Sequence, residues 1–192
     1  MLETSNIEFW IRRRRSVYPP QFNGDQIEDQ EIWEILENAR WAPTHRMTQP
    51  WKFKVFRGNA LKRLSEYMRQ YYLDNTPVHD YSEMKLKKIT QNPLRSSCVI
   101  IICMKRSPEA LVPEWEEVAS VAMAVQNIWL SSAARGIVGY WSTPSSIIKA
   151  RQFLKLEEGE RCLGMFYMGK TNTEVTEPRR ENLTSFIDWV NE

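Results

Sequence analysis

The sequence has few residues of the kinds that bind metals or form disulfide bonds. It contains 2 histidines and 3 cysteines among 192 residues, and no Cys-x-x-Cys spacing. Two histidines make a metal site built from histidine ligands unexpected, and three cysteines cannot all pair with one another. All of them, Cys98, Cys103 and Cys162, fall in apolar runs. We therefore expect buried, reduced thiols, as in a protein of the cytoplasm.

A long hydrophobic run and a strong excess of charge are also missing. The longest apolar run, residues 98–104, is far too short to span a bilayer and predicts a buried strand. The first residues do not resemble a secretory signal, because their charges follow the short apolar patch instead of preceding it. A net charge of +2 gives no field that would attract nucleic acid or a membrane. These absences favour a soluble, cytoplasmic protein that binds neither.

The residues that are present predict an alternation of helices and strands. The length suits one domain over residues 1–192, with two small domains as the alternative. Apolar residues at helical spacing predict helices over residues 4–14, 29–41, 58–72 and 114–135. Alternating or continuous apolar runs predict strands at residues 51–56, 98–104 and 162–170, and a short strand followed by a turn within residues 136–144. This alternation predicts a mixed sheet with helices on both faces.

Two segments of this pattern differ from the rest. Residues 74–93 are charged and weakly patterned, with a short helix expected around residues 82–91, which makes them a candidate mobile excursion. The helix predicted over residues 114–135 is apolar on a second face as well as the first, through Ala119, Met123 and Leu130. Such a helix must be buried twice. We expect the second burial to be against another subunit, because two-fold homodimers are the commonest assembly.

Arginine is concentrated in two short stretches. In "RRRRS", residues 12–16, guanidinium groups and a hydroxyl would make a natural phosphate clamp. A solvated basic helix end, which suits the helix dipole, is the alternative. In "PRREN", residues 178–182, Arg179 and Arg180 offer further phosphate ligands, although exposed arginines in a tail are usually just solvated.

Two connections carry polar groups that could anchor a ligand. In "RWAPTHRMTQPWKF", residues 40–53, Thr44, His45 and Arg46 lie between two prolines; the alternative is a capped loop with His45 satisfied by backbone. In "YWSTP", residues 140–144, backbone amides of a turn could donate hydrogen bonds to a ring nitrogen of a ligand. Trp141 taken alone could equally be a core residue. There is no Gly-x-Gly-x-x-Gly or Gly-x-Ser-x-Gly motif. No single stretch decides the function.

The order and spacing of these stretches carry more information than any one of them. The chain runs from "RRRRSVYPPQF" through "ARWAPTHRMTQPWKFKVF", "AVQNIWLSSAARGIVGYWST" and "LGMFYMGK" to an arginine-rich tail. It contains the element Ala-Pro-x-x-x-x-x-Gln-Pro-Trp, with Ala42, Pro43, Gln49, Pro50 and Trp51. Over about residues 7–187 this arrangement resembles the nitroreductase family of flavin enzymes, in which that element is a recurrent signature.

The resemblance implies a fold and a cofactor. The fold would be α+β, a three-layer α-β-α sandwich with a mixed, mainly antiparallel central sheet. The family binds FMN in pockets at a homodimer interface, with NADH or NADPH as the reductant. The Arg-Arg-Ser element would cradle the FMN phosphate and ribityl chain with Arg14, Arg15 and Ser16. A tail arginine that often grips the phosphate is matched by Arg180.

The resemblance also implies which residues surround the flavin ring. Thr44 and His45 would reach the flavin or its ribityl chain, in a connection that usually contributes to the cofactor of the partner subunit. Trp41, just before the Ala-Pro pair, is assigned to the same site. The turn that faces the ring, where a backbone amide donates to flavin N5, is matched by Trp141, Ser142 and Thr143.

Several positions depart from the family pattern. Tyr18 stands where many members have an arginine or lysine that reaches the flavin N1 and O2 region, and it is assigned to the cofactor site. Reduced flavin carries negative charge there, so another cation, Arg46 or Lys52, would have to replace it. Two large aromatic residues, Tyr140 and Trp141, would narrow the pocket.

The function implied is hydride transfer from NADH or NADPH through flavin N5 to a nitroaromatic, quinone or related acceptor, by a ping-pong mechanism. The flavin does the redox chemistry, so no protein residue is assigned as catalytic. One alternative is another FMN reaction on the same fold, such as dehalogenation or enone reduction. The other is a non-enzymatic protein that binds flavin, or nucleic acid through residues 12–15. The near-neutral charge argues against nucleic acid.

Overall fold

A four-stranded antiparallel sheet with helices on both faces forms the centre of the molecule. A computed structural model describes residues 4–174 and 176–191. The regular elements are α1 Thr4–Arg13, α2 Asp29–Ala39, β1 Trp51–Phe56, α3 Asn59–Asn75, α4 Glu83–Arg95, β2 Cys98–Lys105, α5 Glu114–Ala133, β3 Val138–Ser142, α6 Ser145–Ile148 and β4 Glu160–Gly169. Short 3₁₀ turns lie at Pro19–Gln21, His45–Met47, Val78–Asp80, Pro108–Ala110 and Leu183–Ser185.

The strands are ordered β1-β2-β4-β3 across the sheet. All three pairings are antiparallel, and β2 pairs with both β1 and β4. A parallel bridge between Ser16 and Gly139 attaches the segment after α1 to the free edge of β3. The sheet is therefore mainly antiparallel with one parallel contact, as the sequence predicted.

Two hydrophobic cores lie on opposite faces of the sheet. Along β2, Ile100 and Ile102 face the core covered by α2 and α5. Their neighbours Val99 and Ile101 face the core covered by α3 and α6. This alternation is the two-residue period of a strand, and burial on both sides explains why β2 is almost continuously apolar. The layers are thus helix, sheet and helix, which confirms the predicted α+β sandwich.

The three cysteines are free and buried within these cores. Burial raises the pKa of Cys98 to about 12. Cys103 lies opposite Cys162 on the neighbouring strand, and their hydrogen bond, followed by burial, raises the pKa of Cys103. The prediction of buried, reduced thiols is confirmed.

The weakly patterned segment folds as the second arm of a helical hairpin. Helix α4 packs on α3 and begins at Ser82, whose hydroxyl accepts a hydrogen bond from the Lys85 amide at 3.3 Å. The Tyr72 hydroxyl accepts a bond from the Ser82 amide at 2.9 Å and ties the two helices together. The helix extends beyond the predicted end because its last turns bury Asn92 and Pro93.

None of the helices within the described ranges is long and apolar enough to cross a membrane. The cytoplasmic location inferred from the sequence stays a prediction.

Candidate functional site

The arginines that follow α1 are held against the last part of α5. The Arg14 guanidinium lies over the Trp129 ring, 4.3 Å from its centroid, in a cation–π contact. The indole Nε1 of the same tryptophan donates to the carbonyl of Arg15 at 3.3 Å. One side chain of α5 thus positions both Arg14 and Arg15, whereas Arg12 and Arg13 are exposed.

Ser16 is positioned by the edge of the sheet. It forms the parallel bridge to Gly139, and the amide of Val17 donates to the Gly139 carbonyl at 3.2 Å. A side chain at residue 139 would not fit, because a Cβ there would lie 2.0 Å from the carbonyl oxygen of Tyr167. The glycine lets β3 pair closely with β4 and leaves its outer edge for Ser16.

Arg180 joins the two arginines from the other end of the chain. Burial, and then the charges of Arg15 and Arg180, lower the pKa of the Arg14 guanidinium below its usual value. The Arg15 Nε donates to the carbonyl of Thr176 at 3.2 Å, which brings the tail alongside α1. Among the residues that the structure describes, none of these three arginines lies within 4.0 Å of a carboxylate oxygen.

Two adjoining cavities open beside this arginine cluster, which we define as Arg14, Arg15 and Arg180. One has a volume of about 210 Å³ and is lined by residues from α1, α5 and the tail, including Trp10, Arg14 and Trp129. The other has a similar volume, about 210 Å³, and is lined by Arg15, Ser16 and Thr176 among others. Glu174 also lines both cavities, and in the described ranges its carboxylate does not come within 4.0 Å of Arg14 or Arg15, so these two arginines face space that an anion can enter.

Three tyrosines stack beside the Ser16 segment. The half-exposed ring of Tyr18 lies 4.6 Å from the ring centroid of Tyr140, and Tyr140 stacks on Tyr167 at 5.2 Å. Burial raises the pKa of Tyr140, and hydrogen bonds with Ser142 and Asn92 partly oppose that rise. Tyr18 is thus at the predicted site, next to one of the two aromatics expected to narrow it.

The other aromatic, Trp141, points to the opposite face of β3. Its Nε1 donates to the Leu163 carbonyl at 3.2 Å, and its ring packs against the core under α5. The indole is engaged in packing, as the alternative interpretation from sequence had it. The turn that follows is open: Ser142 is partly exposed and Thr143 is exposed, so backbone groups there are accessible to a ligand.

The loop with Thr44 and His45 lies against the first turns of α5. His45 Nδ1 lies 2.5 Å from the Glu116 carboxylate. The partner of His45 is therefore a side chain, and not a backbone group as expected for a capped loop. The Thr44 hydroxyl lies 3.1 Å from that of Thr48 and accepts from the Gln49 amide at 3.1 Å. An open groove of about 390 Å³ runs along the junction of the loop and α5. The apolar residues that line it include Trp115, Ala119 and Met123.

This loop has an unusual backbone. Arg46, Met47 and Gln49 have φ angles of 50°, 53° and 44°, a left-handed region that non-glycine residues seldom adopt. Each such residue costs of order 1–3 kcal/mol, and strain of this kind is concentrated at ligand sites and switches. The stiff connection between Pro43 and Pro50 is therefore held in its shape by its surroundings.

One chain alone does not bring the two parts of the predicted site together. The loop contacts Glu116 and the arginine cluster contacts Trp129, 13 residues further along α5, which is about 20 Å of helix. Trp41 lies near the loop at the end of α2, with 74% of its surface exposed.

The two suggested replacement cations are engaged elsewhere in the same chain. Arg46 donates to the carbonyl of Ala110 at 2.7 Å, and Lys52 pairs with Glu160. Lys52 is on β1, which is separated from β3 by two strands. Neither side chain lies beside Tyr18 within its own subunit.

Trp129 and Asn92 are site residues that the sequence did not single out. In the sequence, Trp129 is simply one apolar position of an amphipathic helix. Its contact to Arg15 could not be predicted locally, because 114 residues separate the two along the chain. Asn92 lies in the weakly patterned segment and reaches Tyr140 only because α4 packs beside the sheet. No local pattern marks either residue.

Comparison with known proteins settles the family. The model of the nitroreductase family matches residues 11–170, from α1 to the end of β4. The chain belongs to the nitroreductase family. This confirms the resemblance inferred from the sequence and the class of enzyme, an oxidoreductase. Arg180 lies outside the matched range.

Individual relatives are distant. The chain is 26% identical over 182 residues to the YdjA protein of Escherichia coli (strain K12), provisionally named an NAD(P)H nitroreductase, and covers 93% of it with 90% of its own length. It superposes on a nitroreductase-like protein of Bacillus cereus with a TM-score of 0.80, 21% identity and full coverage of both chains. It also superposes on the FMN-dependent nitroreductase NfnB of Mycobacterium smegmatis, solved with NADPH, with a TM-score of 0.76, 16% identity and coverage of 97% and 98%. At these identities the solved structures establish the fold.

Proposed function

We propose that this member of the nitroreductase family is a single-domain, FMN-dependent oxidoreductase that takes hydride from NADH or NADPH and passes it to a nitroaromatic, quinone or related acceptor. The observation that carries the proposal is the arginine cluster. Three guanidinium groups from two ends of the chain converge without a carboxylate within ion-pair distance in the described ranges, and burial, followed by the charges of the other two, lowers the pKa of Arg14. An anion placed beside such a cluster would receive charge-assisted, bidentate hydrogen bonds from it.

The residues around the cluster fit FMN. Arg14, Arg15 and Arg180 would hold the phosphate, and the Ser16 hydroxyl would add a hydrogen bond. Tyr18, whose ring lies beside Tyr140 of β3, and the backbone of Ser142 and Thr143 at the end of that strand would border the flavin ring. Bound FMN would supply the acceptance and donation of hydride. The protein would orient the reductant and then the acceptor in one place, in turn, and exclude water from it.

We also propose that the second half of each site comes from another copy of the chain. The loop with Thr44 and His45 lies about 20 Å along α5 from Trp129, too far to reach the same ligand. The exposed side of α5 is apolar, with Trp115 at 69% exposure beside Glu116 and Met123 at 38% exposure between Glu116 and Trp129. If two α5 helices pack antiparallel about a two-fold axis, the beginning of one lies beside the end of the other. The loop of one subunit would then meet the arginine cluster of the second.

The visible absorption spectrum of the purified protein, before and after NADH and NADPH are added without oxygen, tests this function. We expect the absorption bands of oxidised flavin, which bleach with at least one reductant and return when a quinone or nitroaromatic is added. A protein that is colourless and does not bind added FMN would overturn the proposal. If neither acceptor reversed the bleaching, the assignment of a flavin cofactor would stand and the proposed class of acceptors would be excluded.

A further inference from the structure

A separate cavity of about 470 Å³ lies between the α3–α4 hairpin and α6. Its volume is within the range of small-molecule sites. One wall is aromatic, with Tyr71 and the buried ring of Tyr72, and the opposite wall carries the hydroxyls of Ser145 and Ser146. None of these residues belongs to the arginine cluster or to the loop with His45. We call this space the hairpin cavity.

The charge of the hairpin cavity is of one sign. Its lining contains Lys85 and Lys149 and neither aspartate nor glutamate. Within residues 4–174 and 176–191, neither lysine ammonium lies within 4.0 Å of a carboxylate oxygen. The Lys85 ammonium lies instead 5.4 Å from the centroid of the Tyr72 ring. An aromatic wall with two unpaired cations is suited to a flat ligand that carries an anionic group.

The hairpin cavity is connected to the proposed flavin site by two elements. Its wall includes Pro144, the residue directly after the open turn of Ser142 and Thr143. On α4, Lys85 and Ile89 line the cavity, and Asn92, three residues further along the same face, lies near enough to Tyr140 to lower the pKa of its hydroxyl. A ligand anchored at Lys85 would therefore extend along α4 towards Tyr140 and the turn.

We infer that the hairpin cavity binds the anionic group of a ligand whose other end reaches the flavin site. Lys85 and Lys149 supply the charge, and Tyr72 supplies the aromatic surface. The carboxylate of an aromatic acid acceptor is the ligand that the aromatic wall favours. A phosphate of the nicotinamide dinucleotide has the same anionic chemistry and is the other source. This inference rests on the proposed function for its acceptor, whereas the binding of the anion can be measured without turnover.

The first test is calorimetric titration of the purified protein with benzoate and with benzamide, a neutral ligand of nearly the same shape. We expect benzoate to bind about tenfold more tightly, the effect of one charge-assisted hydrogen bond near a surface. The preference should disappear in Lys85→Gln/Lys149→Gln and persist in Lys87→Gln, which removes an exposed lysine of the same helix outside the cavity. Equal binding of the two ligands to the unmodified protein would overturn the inference.

The second test compares turnover of 4-nitrobenzoate with that of 4-nitrobenzamide. Because these acceptors differ in intrinsic reactivity, the informative quantity is how their kcat/KM ratio changes on substitution. We expect the double variant to lower the ratio of nitrobenzoate to nitrobenzamide by about tenfold, with KM carrying the change and nitrobenzamide turnover retained. Lys87→Gln should leave the ratio unchanged.

A third comparison separates the two sources of the anion. If the double variant lowers the ratio of NADPH to NADH kcat/KM and leaves the acceptor ratio unchanged, the group in the cavity is the dinucleotide phosphate. If neither ratio changes, the inference is wrong although the enzyme still reduces nitrobenzamide. If the unmodified protein reduces neither acceptor, nitroaromatics are excluded from the proposed function, and the benzoate titration still decides whether the cavity binds an anion.

Discussion

The Arg14 side chain both packs against the protein and contributes to the proposed phosphate site. Its guanidinium is placed on Trp129 and is close enough to two other arginines for their charges to lower its pKa. A cation packed in this way is oriented before any ligand arrives, which reduces the entropy lost on binding. The same packing makes it a sharper probe of the phosphate site than a fully exposed arginine of the same run.

Replacing Arg14 with alanine is expected to weaken FMN binding by about 1.5–3 kcal/mol, the loss of a charge-assisted hydrogen bond. Titration of the apoprotein with FMN measures it. The matched control is Arg12→Ala, because Arg12 is two residues away, lies on the solvent side of α1 and pairs only with Glu8 in the described part of the chain. Equal affinity of the two variants would contradict the assignment of the phosphate site.

Glu160 is a buried carboxylate with a structural role. Burial raises its pKa, and the hydrogen bond from Lys52, the bond from the Glu157 amide and the charges of Lys52 and Lys54 lower it by more, so the net pKa is below its usual value. Its ionised form therefore stabilises the fold above the unfolded-state pKa, about 4.3. That contribution is lost as the pH falls through the lower pKa of the folded state.

The variant Glu160→Gln should be less stable than the unmodified protein at pH 7, and the difference should shrink as the pH falls below about 4. Urea unfolding at a series of pH values measures both effects. Glu158→Gln, two residues away and exposed, serves as the control and should change stability little at any pH. A difference that grows on acidification would show that the ionised carboxylate does not stabilise the fold.

At the scale of elements, the hairpin of α3 and α4 depends on a single cap. Ser82 begins α4, accepts a hydrogen bond from the Lys85 amide and donates its own amide hydrogen to Tyr72 on α3. The cap sets where α4 begins and therefore where Lys85 and Ile89 lie.

The substitution Ser82→Ala should lower the free energy of unfolding by about 1 kcal/mol, the usual cost of removing a serine N-cap. Ser185→Ala is the control, because no hydrogen bond to the Ser185 side chain is present among the described residues. Denaturant melts compare the two. Equal stability of both variants would mean that packing alone positions α4.

Elements with a strong period were predictable from the sequence, and short or packed ones were not. The continuous apolar run of β2 and the apolar stripe of α5 are visible in the sequence, because positions that are buried in the fold carry apolar residues. Helix α6 spans only four residues, less than the period needed to recognise it. The last turn of α4 lies beyond the predicted boundary because tertiary contacts bury Asn92 and Pro93 there.

The proximity of the candidate site residues was predictable from the sequence, whereas most of their contacts were not. Arg14, Arg15, Ser16 and Arg180 are found together, as the family pattern implied. The partner of His45 was not predictable, because Glu116 lies 71 residues away and no alternation or spacing connects the two. Contacts of this kind are set by how helices pack against the sheet.

At the scale of the whole molecule, α5 is the element on which the proposed assembly and the proposed cofactor site both depend. Its inner face covers the sheet, its last turns hold the arginine cluster and its exposed side carries the apolar surface proposed for the second subunit. Association would then complete the flavin site, and flavin would in turn stabilise the dimer.

The substitution Met123→Glu places a charge on the exposed side of α5. If the proposed dimer forms through this side, the variant should be a monomer that has lost most of its flavin. Analytical ultracentrifugation with absorption detection follows mass and flavin together. Val78→Glu is the control, since Val78 is 95% exposed and lies in the α3–α4 hairpin, away from α5. A monomer with full flavin occupancy would show that one chain builds the whole site.

The burial of all three thiols has a consequence for the lifetime of the enzyme. Reduction of quinones and nitro compounds produces or consumes electrophiles that alkylate accessible thiolates. Here the three cysteines are enclosed in the sandwich, and Cys98, with a pKa of about 12, stays protonated at neutral pH. Because all three sulfurs are enclosed, an enzyme of the proposed function would keep them out of reach of electrophilic substrates for as long as its cores stay closed, even though the hydrogen bond with Cys103 lowers the pKa of Cys162.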